Sequence, residues 1–117
     1  LQSSLEFYNK IRNEYVKVFK NIKISKPDMI LLIGISEFTE IAILAAKVSE
    51  VEIHSIIQTN YTKSSFCGIT VEKNIKKFIN SNKNMFFVIS SRVSVKETIK
   101  TLKFNKNMIK PKFLLLD

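Results

Sequence analysis

The sequence predicts an α/β domain with three layers, in which helices cover both faces of a parallel sheet, and two observations lead to that class. Short, continuous apolar runs of strand length recur along the chain, as expected of strands that are buried on both faces. Between them lie segments whose apolar residues repeat every three or four positions, the spacing of amphipathic helices. Strands that alternate with helices in this way form βαβ units with right-handed crossovers. A chain of 117 residues holds one such domain.

The first predicted element is a long helix over residues 4–23. Its apolar stripe has spacings of three and four residues and consists of Leu5, Tyr8, Ile11, Tyr15, Val18 and Ile22. About three heptads of this pattern can pair two helices in a coiled coil, and the same stripe can instead pack on the protein's own domain. We therefore expect residues 1–26 to form a helical arm that links and dimerises, with intramolecular docking as the alternative, and residues 27–117 to form the α/β domain.

The sheet begins after Pro27, which disfavours helical geometry in the residue before it. The predicted strands are residues 29–33, 51–57, 85–89 and 113–116, and residues 68–71 are a candidate fifth. The predicted helices are residues 36–49, residues 73–79 and a helix that opens with a capping box formed by Ser94 and Glu97. The sequence therefore predicts a parallel sheet of four to five strands, preceded by a long N-terminal helix.

The net charge of +9 suggests a nucleic-acid partner, but the composition offers a simpler explanation. Seventeen of the nineteen basic residues are Lys, and they are scattered along the sequence without a long block. Together with abundant Ile and Asn, this excess is typical of the codon usage of an AT-rich genome. Direct binding of nucleic acid by these residues is therefore disfavoured.

Several other classes of protein are also disfavoured. The apolar runs are too short to cross a bilayer, and no signal-type segment is present, so we expect a cytoplasmic protein with no membrane partner. Cys67 is the only cysteine and excludes an internal disulfide and a cysteine-based metal cluster. His54 is the only histidine, and we expect it to be a surface or hydrogen-bonded core residue rather than a catalytic base.

The turn after the first strand occupies the position of the G-x-G-x-x-G motif of dinucleotide-binding proteins. Gly34 stands at the first glycine of that motif, and Ser36 and Thr39 replace the other two. The Cβ atom of Ser36 would crowd the path of a pyrophosphate, and Glu37 would repel one. NAD binding is therefore disfavoured, and we expect no cofactor.

The predicted crevice at the carboxyl ends of the strands can still hold a small polar or anionic ligand. The second strand ends at Gln58 and Thr59, without the carboxylate that holds a ribose in the template. Arg92 follows a buried strand and could bind a carboxylate or phosphate, or pair with a nearby acid. The candidate ligand-binding residues are Gly34, Ser36, Glu37, Thr39, Gln58, Thr59, Ser90, Ser91 and Arg92. We find no nucleophile–base pair, so we expect no catalytic residues.

Residues 33–42, with the sequence IGISEFTEIA, resemble the turn of small Rossmann-like domains that follow a winged helix in certain bacterial regulators of the MarR-like type. The matching positions are Gly34, Glu37, Glu40, Ile41 and Ala42. Residues 66–71 are similar to the segment after the second strand of those domains, and residues 5–12 resemble their joining helix. A similar turn opens the N-terminal nucleotide-sugar-binding domain of sialic-acid-type sugar O-acyltransferases.

This resemblance implies a Rossmann-like, non-enzymatic domain that senses a ligand and dimerises within a transcriptional regulator. DNA would then be bound only through an N-terminal winged helix, and because the first residue is Leu1 we expect these residues to be a piece of a longer protein. The alternative is a nucleotide-sugar or dinucleotide-binding domain attached to a sugar-modifying enzyme. A stand-alone enzyme is the least favoured reading.

Overall fold

The computed structural model describes residues 3–79, 81–93, 95–102 and 107–114, and these residues form one sheet flanked by helices. Six strands are ordered β3-β4-β2-β1-β5-β6. All neighbouring strands are parallel except β3 and β4, which form an antiparallel hairpin. The elements in chain order are α1 (Ser4–Ile24), β1 (Met29–Ile33), α2 (Glu37–Val48), β2 (Ser55–Ile57), β3 (Ser65–Phe66), β4 (Ile69–Glu72), α3 (Lys76–Ile79), β5 (Met85–Ile89), α4 (Lys96–Leu102) and β6 (Asn107–Ile109). The predicted α/β class and the long first helix are confirmed.

The helices divide between the two faces of the sheet. The chain moves in one direction from β1 through α2 to β2, and in the other from β5 through α4 to β6. Right-handed crossovers therefore place α2 and α4 on opposite faces. The two residues before β2 support this assignment, because successive side chains of an extended segment point to opposite faces of the sheet. Ile53 lines a cavity together with residues of α2. The ring of His54 instead contacts the ring of Phe78 in α3, with 6.2 Å between the centroids. We call the two sides the α1/α2 face and the α3/α4 face.

Helix α1 packs beside α2 and belongs to the hydrophobic core. Its buried side chains are spaced by three or four residues, as in a docked amphipathic helix, and are Ile11, Tyr15, Phe19 and Ile22. At its C-terminal end the Lys23 Nζ donates to the Ser49 carbonyl oxygen at 3.4 Å, which joins the ends of the two helices. The alternative of intramolecular docking therefore describes this helix.

The docking changes the interpretation of the predicted dimerisation stripe. Ile11, Tyr15 and Ile22 are buried within their own chain and, in this structure, have no surface left for a second copy. Tyr8 and Val18 are half-buried. Leu5, with 68% of its surface accessible, is the one member that is fully at the surface. Three of the six positions of the stripe thus pack against their own chain in this structure, and a stripe at this spacing fits either surface.

The sheet differs from the prediction in the number of its strands, in the length of its second strand and in the strand at one edge. The candidate fifth strand is confirmed as β4, and its hairpin partner β3 raises the total to six. The second strand is limited to Ser55–Ile57, because its pairing with β1 begins at Leu31 opposite Ser55. The predicted helix over residues 73–79 shortens to α3.

The predicted last strand at residues 113–116 is wrong in its described part. Phe113 lies in a turn and Leu114 is outside any strand, although Leu114 is buried in the core. The edge position is held by β6, which pairs with β5. A strand at the edge of a sheet is less covered than a central one and therefore needs fewer apolar residues. β6 has only two, so the apolar pattern that identifies a strand in the sequence was weak here. Residues 115 and 116, and Ser94 of the predicted capping box, lie outside the described residues.

None of the helices in the described part of the chain is long and apolar enough to cross a membrane.

Candidate functional site

The predicted crevice lies at the carboxyl ends of the central strands, where the order of the sheet reverses between β1 and β5. The Gly34 N–H donates to the Ile57 carbonyl oxygen at 2.9 Å, and the Ser90 N–H donates to the Ile33 carbonyl oxygen at 2.8 Å. These two bonds extend the sheet past its strands and bring the turn after β1 beside the segment after β5. Gly34 and Ser90 therefore meet at one edge, as the sequence predicts for parallel strands.

Ser36 and Thr39 close the first turn of α2 on itself. Ser36 is the N-cap residue, and its hydroxyl accepts from the Phe38 N–H at 3.1 Å. The Thr39 hydroxyl accepts from the Ser36 N–H at 2.8 Å, which completes a capping box. Both hydroxyl groups also donate to the Ser90 carbonyl oxygen, Ser36 at 2.6 Å and Thr39 at 3.2 Å. The Thr39 hydroxyl also lies 3.0 Å from the Gly34 carbonyl oxygen.

Gln58 and Ser90 complete this network from the neighbouring strands. The Gln58 Oε1 accepts from the Ile35 N–H at 2.8 Å. The Ser90 hydroxyl donates to the Gly34 carbonyl oxygen at 2.6 Å. Ser36, Thr39, Gln58 and Ser90 therefore form one connected set of hydrogen bonds, which we call the turn network. Thr39 and Ser90 are fully buried in it.

The turn network occupies backbone donors that a phosphate would need. In a dinucleotide-binding fold, the N–H groups of the turn and of the first helical residues point at the pyrophosphate. Here the Ile35, Ser36 and Phe38 N–H groups already donate to side chains of the protein. A phosphate would have to displace these short bonds and meet the carboxylates of Glu37 and Glu40 in the first turn of α2.

Gly34 is required by its backbone conformation and by packing. Its φ angle of +91° lies in the region that favours glycine. A Cβ atom at this position would lie 2.5 Å from the Ser91 Cβ and 2.8 Å from the Val95 Cγ1. The segment after β5 thus packs directly against Gly34 and leaves no space for a side chain there.

The other predicted ligand-binding residues surround this closed centre. Ser91 is buried and its hydroxyl bonds with the backbone of Val93, accepting from the N–H at 3.2 Å. Glu37, Thr59 and Arg92 are exposed. Among the described residues, no carboxylate lies within 4.0 Å of the Arg92 guanidinium. The structure therefore separates the nine predicted positions into six that are buried or half-buried around the turn and three that form an exposed rim.

Tyr15 of α1 contacts the end of β5 next to this turn, and the periodicity of α1 could not reveal that contact. Its hydroxyl donates to the carbonyl oxygen of Ile89, the last residue of β5, at 3.0 Å. Burial raises the pKa of Tyr15, so the phenol remains a neutral donor. The ring also meets the edge of Phe113, with 5.4 Å between the centroids. Sequence signals for this role were lacking, because a buried tyrosine and an interhelical tyrosine have the same spacing.

Two open cavities lie at the opposite edge of the sheet, near the amino ends of β1 and β2. One of about 310 Å³ is lined by Ile43, Ala46, Lys47, Val51, Glu52, Ile53, Gly68 and Ile69. The other, of about 280 Å³, is lined by Pro27, Asp28, Met29, Ile30, Val51 and Glu52. Within the described ranges, no group of three or more His, Cys, Asp or Glu side chains is placed to hold a metal ion.

His54 is exposed and lies beside a buried serine. Its Nδ1 atom lies 2.8 Å from the hydroxyl of Ser55, and Ser55 is buried.

Comparison of the chain with protein-family models, curated proteins and solved structures finds no match.

Proposed function

We propose that this chain is a non-enzymatic regulatory domain of Rossmann-like type, in which the nucleotide-binding turn is closed by the protein's own side chains. The strand order with β1 at the centre and a reversal between β1 and β5 supports the Rossmann-like part. The resemblance of residues 33–42 to bacterial winged-helix regulators supports the regulatory part. The observation that carries the proposal is the turn network, because it takes three backbone donors from any phosphate.

Regulation in this proposal acts through surfaces rather than through chemistry in the crevice. Leu5 and Phe7 remain exposed at the N-terminal end of α1, and the predicted homodimer would form through that end. A small anion would meet Arg92 at the exposed rim rather than the turn. DNA recognition by a winged helix before Leu1 belongs to the same proposal.

Thermal unfolding in the presence of nucleotides tests the closed turn. A ligand at one hundred times its Kd adds about 2.7 kcal/mol to the free energy of unfolding, which raises the Tm by several degrees. We expect NAD, FAD and UDP-sugars at millimolar concentration to leave the Tm unchanged. A dinucleotide-binding domain with an intact glycine motif, measured in the same plate, serves as the control. A saturable rise with any of these nucleotides would contradict the proposal, and a rise with UDP-sugars alone would favour a domain that serves a sugar-modifying enzyme.

A further inference from the structure

The net charge of the protein belongs to one half of the chain. Residues 1–58 contain seven basic and seven acidic residues, whereas residues 59–117 contain twelve basic and three acidic residues. The whole excess of +9 therefore lies in the second half. Codon usage explains why lysine is common in both halves, but it does not explain why acids are depleted from one of them.

The fold converts this difference along the sequence into a difference between the two faces. The second half supplies α3 and α4, which cover the sheet on the side away from α1 and α2. Exposed lysines lie in these helices and in the segments that flank them. We call this set the basic face: Lys73, Lys76, Lys77, Lys83, Lys96 and Lys100.

Few carboxylates neutralise the basic face. Glu72 pairs with Lys77 at 3.1 Å, and Glu97 in α4 is exposed. In the described ranges, the other lysines of this face have no carboxylate oxygen within 4.0 Å. The lysines of α1 and α2 also lack a carboxylate oxygen within 4.0 Å among the described residues, but the half of the chain that supplies the α1/α2 face contains as many acidic as basic residues, including Glu6, Glu14, Glu37 and Glu40.

We propose that the basic face binds the phosphate backbone of duplex DNA without sequence preference. Lysine is a flexible point charge that neutralises phosphates, and contacts of this kind position a protein on DNA without reading bases. The molecule measures 45 Å by 32 Å in its two longer dimensions, which is comparable to one turn of B-DNA at about 34 Å. The molecule as a whole is therefore long enough to lie along about one helical turn of the duplex.

The same surface fits other acidic partners less well. Single-stranded nucleic acid is held by exposed aromatic side chains on which bases stack, and a membrane or protein partner requires exposed apolar anchors. Among the described residues after position 58, the only large apolar side chain that is strongly exposed is Val93. A surface with charge and almost no apolar area fits a uniform row of phosphates.

Duplex binding is independent of the closed turn. The turn network lies at the carboxyl ends of the strands, whereas the basic face lies over α3 and α4. Nucleotide binding at the turn would leave the basic face in place, and a failure of duplex binding would leave the turn network closed. The two proposals therefore fail separately.

The test is fluorescence anisotropy of the whole chain with a labelled 30-base-pair duplex between 25 and 200 mM NaCl. If about four to six phosphates are contacted, the logarithm of the binding constant falls against the logarithm of salt concentration with a slope of about −3.6 to −5.4. The variant K76Q/K96Q/K100Q should weaken binding by at least about tenfold at 50 mM salt and make the slope shallower by about 3. The control K10Q/K17Q/K20Q removes the same charge from exposed lysines of α1 and should stay within about twofold.

A measurement without variants gives the same information by another route. Lysine acetylation of the wild-type protein, mapped by mass spectrometry, should show protection of Lys76, Lys96 and Lys100 by the duplex and none at Lys10 or Lys17. The proposal is overturned if the duplex does not bind at 25 mM salt, or if the two triple variants lose equal affinity. It is also overturned if a 30-nucleotide single strand or polyglutamate binds more tightly than the duplex, or if protection is equal on both faces.

Discussion

Gly34 is held in place by the packing of its neighbours. Its positive φ angle and its contacts with Ser91 and Val95 leave no room for a methyl group. We expect Gly34→Ala to lower the free energy of unfolding by about 2–5 kcal/mol, because backbone strain and overpacking add. Urea unfolding followed by circular dichroism measures this difference.

Gly68 provides a matched control for Gly34. It also has a positive φ angle, +79°, but an added Cβ would meet no atom within 4 Å. Gly68→Ala should therefore cost only the backbone strain, about 1–2 kcal/mol. Equal losses for the two variants would show that the space above Gly34 is not filled as the structure indicates.

Tyr15 gives the protein a pH dependence with a defined sign. Burial raises the pKa of its phenol above the ordinary value of 10.0, so the unfolded chain loses this proton at lower pH than the folded one. The stability that the folded state gains by holding the Tyr15 phenol neutral is complete below about pH 10. Above that pH the free energy of unfolding declines, by at most about 1.4 kcal/mol per pH unit. Tyr15→Phe should cost about 1 kcal/mol at pH 8, and the difference from the wild type should narrow above pH 10. Urea unfolding of both proteins from pH 8 to pH 11 measures the difference, and parallel profiles would contradict this role.

Sequence reasoning placed Gly34, Ser36, Thr39, Gln58 and Ser90 at one edge of the sheet, and the structure brings them together there. That much follows from the geometry of parallel strands, whose carboxyl ends share an edge. Whether the side chains then face a ligand or one another depends on separations of 2.6–3.2 Å. Spacing along a sequence does not determine distances of that size, so the closed state of the turn could not be predicted.

At the scale of elements, α1 is the part whose existence was predictable and whose contact was not. An apolar stripe with spacings of three and four residues identifies a helix, but it does not identify the surface that the stripe covers. The structure places Tyr15 and Phe19 against the protein's own core, with their rings stacked at 6.2 Å. Phe19 was absent from the predicted stripe although it is fully buried.

Phe19→Ala tests whether α1 is an integral part of the domain. Loss of a buried phenylalanine leaves a cavity, so we expect the free energy of unfolding to fall by about 3–5 kcal/mol. Lys17→Ala, on the exposed side of the same helix, should change it by less than about 0.5 kcal/mol. If both variants unfold at the same urea concentration as the wild type, α1 is a detached arm.

The edges of the sheet were less predictable than its centre. β1 and β5 are buried apolar runs with a strong signal, and both have the predicted bounds. β6 has half-buried residues and follows residues outside the described part, whereas the stronger apolar signal at Phe113 and Leu114 belongs to core residues beyond the sheet. Apolar content reports burial, and burial at the end of a chain does not require a strand.

At the scale of the whole molecule, the distribution of charge depends on the sequence and the fold together. The lysines in α3, α4 and their flanking segments share the α3/α4 face because two crossovers of opposite direction send these helices to that side. The excess of positive charge in residues 59–117 can be counted in the sequence, but its placement on one face depends on the order of the strands. Uncompensated lysines on one face must also repel one another in the absence of a partner.

This repulsion predicts that salt stabilises the free protein. Like charges within about 10 Å of each other are screened as NaCl rises from 20 to 200 mM, so we expect the Tm to rise by about 2–5 °C. The K76Q/K96Q/K100Q variant has less repulsion to screen and should show less than about half of that gain. The K10Q/K17Q/K20Q variant should keep more of the gain than the first variant, because Glu6 and Glu14 each lie one helical turn from one of its three lysines. Differential scanning calorimetry of the three proteins makes the comparison. An equal gain in all three would mean that salt acts on the protein generally and that the basic face carries no excess of repulsion.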